Sequence, residues 1–239
     1  MIKKSIFRIL LAFLFLITFS QTVFSYTLRT ADGMGPYDAG SGGEFTLKPG
    51  DGLEWVLNYY DAKAKNAGGT SNTFQSFCLE YNENISDGTL YSATLSNASI
   101  YGGTYHASDP LSKGTAWLYS LFAKGTLSGY HYGSGRTTSA AEFQEAIWWL
   151  EDEISLSDPD ENSFIHAAIT QFGGTAAGAK ANADGLYGVK VVNLWKYGYA
   201  GNIEYRRQDT LVVTPIPSAV WLLGCGLIGL VGIRRRNQA

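Results

Sequence analysis

Cysteine is nearly absent from this chain of 239 residues, which contains only Cys78 and Cys225. Cys78 lies in the body of the sequence, whereas Cys225 lies in an apolar segment near the end, so the two cannot pair in the folded protein. A disulfide framework is therefore excluded. A lone cysteine without a disulfide partner is either deeply buried or chemically employed.

Several catalytic and ligand-binding signatures are also missing. The sequence has no nucleophile elbow, no phosphate-binding loop and no dinucleotide fingerprint. Residues 158–162 alternate oxygen-bearing side chains as a calcium loop does, but they lack its glycine and its closing glutamate, so they predict a solvated turn. We therefore predict no metal and no cofactor.

Basic residues are scarce outside the two ends. Six of the 18 Lys and Arg residues lie there, which leaves 12 against 21 acidic residues and a net charge of −9 for the body. Such a surface repels phosphates and argues against nucleic acid as a partner.

Both ends have the composition of export signals. Residues 1–25 place Lys3, Lys4 and Arg8 before an apolar run, and Ser25 precedes the expected signal-peptidase cleavage site at Tyr26. Residues 216–233 carry no charge, which is long enough for a transmembrane helix. The cluster that follows would stop the helix on the cytoplasmic side; it consists of Arg234, Arg235 and Arg236.

In the body, residues 26–210, segments in which apolar residues recur at every second position alternate with segments in which they recur at helical spacing. A period of two predicts strands, which are 44–48, 73–82, 89–95, 98–105, 189–195 and 203–213. Helical spacing predicts helices at 112–127, 141–153 and 162–172. This order favours an α+β fold, a mixed β-sheet or sandwich with two or three central helices.

Helix 141–153 contains one polar residue that fits neither face. Ser139 and Glu142 match a capping box, and apolar residues from Phe143 onward form a stripe. Gln144 falls at the border of that stripe, where its amide needs a partner. Trp149 falls on the charged side of the same helix.

Two kinds of chemistry are open to Cys78. With His106 or His131 it would form a nucleophile–base pair of a hydrolase, although no signature surrounds either histidine. With Gln144 it could form an internal thioester, since a thiolate can attack a carboxamide and expel ammonia. The alternative for both residues is a buried cysteine beside a glutamine that bonds to the backbone.

Two short segments resemble the signature motifs of bacterial thioester domains: Phe77-Cys78-Leu79-Glu80 and Phe143-Gln144-Glu145-Ala146-Ile147-Trp148. The family's domains sit at the tips of Gram-positive surface adhesins and react covalently with amines. The resemblance implies a Cys78–Gln144 cross-link. The residues expected to shield it from water are Phe77, Leu79, Phe143, Ile147 and Trp148.

The end of the chain, residues 214–236, resembles the PEP-CTERM sorting signal of Gram-negative bacteria that make exopolysaccharide. Pro215-Ile216-Pro217 stands where that signal has its proline motif, with Ile216 replacing the usual glutamate, and an apolar helix and the arginine cluster follow. The resemblance implies processing by an exosortase.

We therefore expect an exported cell-surface or extracellular-matrix protein that is not an enzyme. Its expected partners are signal peptidase, an exosortase-type enzyme, the membrane through the terminal helix, and a nucleophile on a polysaccharide or surface protein. The alternatives are a non-covalent exopolysaccharide-associated protein, whose Tyr and Trp rings bind sugar, and a Cys–His hydrolase.

Overall fold

The computed structural model describes residues 25–40, 42–102 and 107–215. The strands within these ranges are β1 (Tyr26–Thr30), β2 (Phe45–Gly50), β3 (Phe74–Ser76), β4 (Leu90–Ser96), β5 (Ala98–Gly102), β6 (Ala107–Pro110), β7 (Val189–Lys196) and β8 (Arg206–Val213). The α-helices are α1 (Lys113–Ala123), α2 (Arg136–Leu150), α3 (Ser163–Gln171) and α4 (Ala176–Lys180). The predicted α+β class is confirmed.

In the described residues, six strands form one antiparallel sheet in the order β3-β2-β1-β4-β7-β8, and β5 pairs with β6 in a separate hairpin. The sheet curls until its two outer strands meet. Leu211 N donates to Ser76 Oγ over 2.9 Å, and Leu79 N donates to Asp209 O over 3.0 Å. We call this junction of residues 75–80 with residues 208–211 the seam.

A helical layer covers the seam from one side. Tyr119 of α1 donates its hydroxyl to Gln75 O over 2.8 Å and to Leu211 O over 3.0 Å, and so ties both strands to the helix. Phe77 packs against Phe143 of α2 with ring centroids 4.7 Å apart. These side chains are fully buried, so the main core lies between the seam and the helices.

Local signals explain the ends of the helices. Ser112 Oγ accepts from Thr115 N at the start of α1, and Asn162 Oδ1 accepts from Phe164 N at the start of α3. The capping box predicted at Ser139 is wrong. Helix α2 begins one turn earlier, after Gly135 in the left-handed region (φ 83°), and Ser139 lies inside it.

Three further sequence predictions need correction. The strand predicted over 73–82 ends at Ser76, because the chain then leaves β2 and crosses to β8. Gln144 lies fully in the interior rather than at a border. Trp149 is buried as well, under Lys180, whose Nζ lies 4.1 Å from the ring centroid.

Outside the described ranges lie residues 1–24 of the predicted signal peptide, the predicted terminal membrane helix with Ile216 and Pro217, and the arginine cluster. Within those ranges, no helix combines the length and the apolar character needed to cross a bilayer.

Candidate functional site

Cys78 lies at the seam, two residues after the end of β3. It forms an isolated antiparallel bridge with Thr210 of β8, and its side chain is a free thiol with 7 % of the residue exposed. The seam thus holds the thiol in the protein interior at a fixed place in the backbone.

Gln144 reaches that place from the middle of α2. Its Oε1 accepts from Cys78 N over 2.9 Å, and its Nε2 donates to Cys78 O over 2.9 Å. Both polar atoms of the carboxamide are therefore bound to the one residue that carries the thiol. The structure brings together the two residues that the sequence singled out, although 66 positions separate them.

A second backbone donor approaches the same oxygen. Gly43 N donates to Gln144 Oε1 over 3.3 Å, so this oxygen accepts from two N–H groups. Negative charge would develop on it if the thiol attacked the carboxamide carbon. Two fixed backbone donors at such an oxygen form an oxyanion-hole arrangement.

Gly43 belongs to a tight turn that covers Gln144. Asp38 bridges Gly43, and Ala39 N donates to Gly42 O over 2.9 Å inside the turn. A Cβ atom on Gly42 would lie 2.8 Å from Gln144 Cγ and 2.6 Å from Trp148 Cη2. Glycine is required here because the turn presses directly on α2.

The apolar residues expected to shield the site are all buried; they are Phe77, Leu79, Phe143, Ile147 and Trp148. Trp148 lines a pocket together with Cys78, and its ring makes a T-shaped contact with the exposed Tyr81 at a centroid distance of 5.0 Å. All five belong to the core cluster that also includes Cys78.

The pocket beside Cys78 has a volume of about 180 Å³ and an acidic lining. Asp38, Glu80 and Glu83 contribute carboxyl groups to it, and Gln208 contributes an amide. It connects the thiol with the protein surface.

Burial dominates the ionisation of this region. It raises the pKa of the Cys78 thiol well above its usual range, and the negative charges of Glu80 and Asp38 raise it further. Burial also raises the pKa of Glu80 well above its usual range, and that of Asp209 to about 7. The resting thiol is therefore neutral.

The Cys–His arrangement is not assembled by the described residues. His131 is exposed and does not line the Cys78 pocket, and His106 lies outside the described ranges. Nor do the residues in 25–40, 42–102 and 107–215 include a group of three or more His, Cys, Asp or Glu side chains placed to hold a metal ion.

Sequence reasoning missed the Gly43 donor and the pocket residue Gln208. In the sequence, Gly42 and Gly43 indicate only a loop, and Gln208 lies within a predicted strand. Both reach the site through long-range contacts that leave no periodic trace in the sequence. Comparisons of the chain with protein-family models, with curated proteins and with solved structures gave no match.

Proposed function

We propose that the body of this chain is a thioester-domain-like module that attaches covalently to another molecule through an internal Cys78–Gln144 thioester. The observation that carries this proposal is the paired contact of the Gln144 carboxamide with the backbone of Cys78. This contact holds the carboxamide against the backbone of the cysteine in a buried site, and the carboxamide oxygen accepts from two N–H groups.

The reaction proceeds in two steps. Sγ of Cys78 attacks Cδ of Gln144, the S–C bond forms, the C–N bond breaks, and ammonia leaves with the thiol proton. An external amine or hydroxyl then attacks the thioester carbon, becomes an amide or ester at Gln144, and returns the thiol of Cys78. Each molecule reacts once, so the protein is not an enzyme.

The two ends supply the cellular context of the proposal. Residues 1–25 direct export, and residues 214–236 hold the exported chain in the membrane until an exosortase-type enzyme processes the tail. The domain then resides at the cell surface or in the extracellular matrix of an exopolysaccharide-producing Gram-negative bacterium. The attacking nucleophile is a group on a matrix polysaccharide or a surface protein.

A second candidate function is non-covalent association with exopolysaccharide. The turn between β7 and β8 exposes Tyr197 and Tyr199, and Tyr199 packs against Tyr205 with ring centroids 4.1 Å apart and ring planes tilted by 35°. Lys196 lies over both members of this pair. Exposed aromatic rings of this kind can stack on sugar rings.

Intact mass of the purified mature domain separates the two candidates. A thioester makes the domain lighter by one ammonia than its sequence, and methylamine should add one amine and free one thiol. Cys78→Ala should have the unmodified sequence mass and should not react. A wild-type domain with the unmodified mass, no response to methylamine and no conversion of Gln144 to glutamate would overturn the thioester proposal.

The non-covalent candidate predicts a different pattern. Binding to isolated exopolysaccharide should persist in Cys78→Ala and should fall in Tyr199→Ala. Equal binding by Tyr199→Ala and wild type would contradict a role for the exposed turn.

A further inference from the structure

Glu80 is buried beside Cys78 in an incompletely bonded polar cluster. It follows Cys78 by two residues, with a bend of the chain at Leu79 between them. Both line the same pocket, and Glu80 is only 3 % exposed. A carboxyl group therefore lines the same pocket as the cysteine of the proposed thioester.

The bonding of Glu80 is asymmetric. Its Oε2 accepts from Asp209 N over 2.9 Å and from Gln208 Nε2 over 3.0 Å. Its Oε1 and the Oε1 of Gln208 are both buried and find no hydrogen-bond partner among the described residues. A buried acceptor without a donor destabilises the folded state, because it has lost its hydrogen bonds to water.

A single proton on Glu80 would give both of these oxygens a hydrogen bond. If Glu80 carries a proton on Oε1, this atom becomes a hydrogen-bond donor. The acceptor for it is Oε1 of Gln208, whose Nε2 already donates to the other oxygen of the same carboxyl group. Acid and amide would then form a mutually satisfied pair. The same proton removes a buried negative charge, which has no cationic partner among the described residues, since the nearby Arg206 pairs with Glu83 over 2.6 Å.

The neighbouring carboxyl groups support the same assignment. Asp209 accepts from Ile100 N over 2.8 Å, from Asn193 Nδ2 over 2.9 Å and from Leu194 N over 3.3 Å. These donors favour its charged form, and its charge, together with that of Glu83, raises the pKa of Glu80 beyond the effect of burial. Of this buried pair, Glu80 is the one that keeps its proton.

We propose that Glu80 is held as a neutral carboxylic acid by Gln208 and transfers protons in the Cys78–Gln144 reaction. The second half of this inference rests on the proposed function. Because the thiol is neutral, its attack must be coupled to proton transfer. Glu80 gives its proton to Nε2 of Gln144 as the C–N bond breaks, directly or through one water, and takes up the proton from Sγ. The products are the thioester, ammonia and an unchanged Glu80 acid.

The same exchange serves the second step. When an amine attacks the thioester, Glu80 protonates the departing sulfur of Cys78 and receives the proton that the amine gives up. Asp38 and Glu83 also face the pocket, but they lie nearer its surface and are not bonded to Gln208. The control is Glu142→Gln, which removes a carboxyl group from the exposed face of α2, outside this pocket.

Infrared spectroscopy tests the acid state independently of thioester formation. In the Cys78→Ala domain, which cannot form a thioester, Glu80→Gln should remove a carboxylic acid C=O band at neutral pH, and the control Glu142→Gln should not. Gln208→Leu should shift the frequency of that band, since it removes the hydrogen-bond partner, and it provides the test if Glu80→Gln does not fold. Loss of only a carboxylate band in Glu80→Gln, or an unchanged band in Gln208→Leu, would overturn the acid–amide pair.

Kinetics then test proton transfer in the domain with Cys78 intact. Glu80→Gln should slow the release of thiol by methylamine by about 100-fold or more, with the folded structure retained by circular dichroism, and Glu142→Gln should stay within about threefold of wild type. Equal rates for folded Glu80→Gln and wild type would overturn this role while leaving the thioester intact. A wild-type domain without a thioester would instead remove the proposed function, and the infrared result would still decide the state of Glu80.

Discussion

Arg136 and Glu44 form a buried bidentate ion pair that connects the start of α2 to the residue after Gly43. Arg136 Nε donates to Glu44 Oε2 over 2.9 Å and Nη2 donates to Oε1 over 2.5 Å, with 5 % and 0 % of the side chains exposed. Tyr130 donates to the same carboxylate over 2.5 Å. Helix α2 therefore carries Gln144 and also anchors the glycine whose N–H meets it.

We predict that Arg136→Met lowers the free energy of unfolding by about 3–5 kcal/mol, because it leaves Glu44 charged and unpaired in the interior. Chemical denaturation measures this loss. Arg136→Met should also slow formation of the thioester during refolding, because Gly43 is no longer held against Gln144. Intact mass measured during refolding follows this step.

Asp152→Asn is the control for this prediction. The Asp152–Lys180 pair is more exposed, and asparagine tolerates the left-handed backbone at this position (φ 60°). Its loss should cost no more than about 1 kcal/mol. A similar small loss in Arg136→Met would mean that the buried pair does not anchor the turn.

Gly42→Ala tests the close contact between the turn and α2. The added methyl group would lie 2.8 Å from Gln144 Cγ, so the turn must move and carry the Gly43 N–H away from the carboxamide oxygen. We expect a loss of about 1–3 kcal/mol in stability from overpacking. The yield of thioester, measured by mass after expression, should fall as well.

Gly133→Ala provides the comparison for Gly42→Ala. A Cβ atom at Gly133 meets nothing within 4 Å, and its φ lies outside the left-handed region. This variant should match the wild type in both stability and thioester yield. Equal yields in the two variants would contradict the importance of the turn.

Hydrophobic periodicity predicted the elements whose positions are set locally. Helices α1, α2 and α3 and strands β4, β7 and β8 lie close to their predicted ranges, because each buries one face or both against the same core. The predicted start of α2 was wrong, because a tertiary contact determines where this helix begins. Arg136 enters the first turn to meet Glu44, and Ser139 Oγ accepts from His131 N over 3.2 Å inside the helix instead of capping it.

The candidate site was predictable only where residue type signals chemistry. Cys78 is the one cysteine of the body, and Gln144 is a polar residue beside an apolar stripe. The two motifs that resemble those of thioester domains related these residues to each other. The seam, which places Cys78 opposite Thr210, depends on how far the six-stranded sheet curls. Gly43 stands 101 positions before Gln144 in a turn without periodicity, so sequence reasoning could not connect it with the glutamine.

Replacement of Pro215 and Pro217 by alanine tests the proposed sorting tail. If an exosortase-type enzyme reads this motif, the double variant should accumulate as an unprocessed form that stays with the membrane fraction, whereas the wild-type domain is released. Immunoblotting of cell fractions distinguishes the two by size and location. Alanine at Lys124, which is exposed at the end of α1, should leave processing unchanged. Normal release of the double-proline variant would contradict the sorting assignment.

Glu151 gives the protein a specific dependence of stability on pH. It accepts from Ser112 N at the start of α1, over 3.3 and 3.4 Å to its two oxygens, and burial raises its pKa to about 7 from an ordinary value of 4.5. The folded state therefore binds a proton that the unfolded state releases above about pH 4.5. The stabilisation from this group is complete below that pH and is lost as the pH rises through 7.

The loss amounts to about 3 kcal/mol between pH 4.5 and neutral pH, at 1.36 kcal/mol per pKa unit. Glu151→Gln keeps a neutral acceptor for the Ser112 N–H and carries no proton to release. We therefore expect the variant to lose less stability than the wild type over this interval, measured by urea denaturation at a series of pH values. The stability of the variant will still decline with rising pH, because the pKa values of Glu80 and Asp209 are also raised in the folded state. Glu142→Gln, on the exposed face of α2, should reproduce the wild-type slope, and an identical slope in Glu151→Gln would show that Glu151 is not the titrating group.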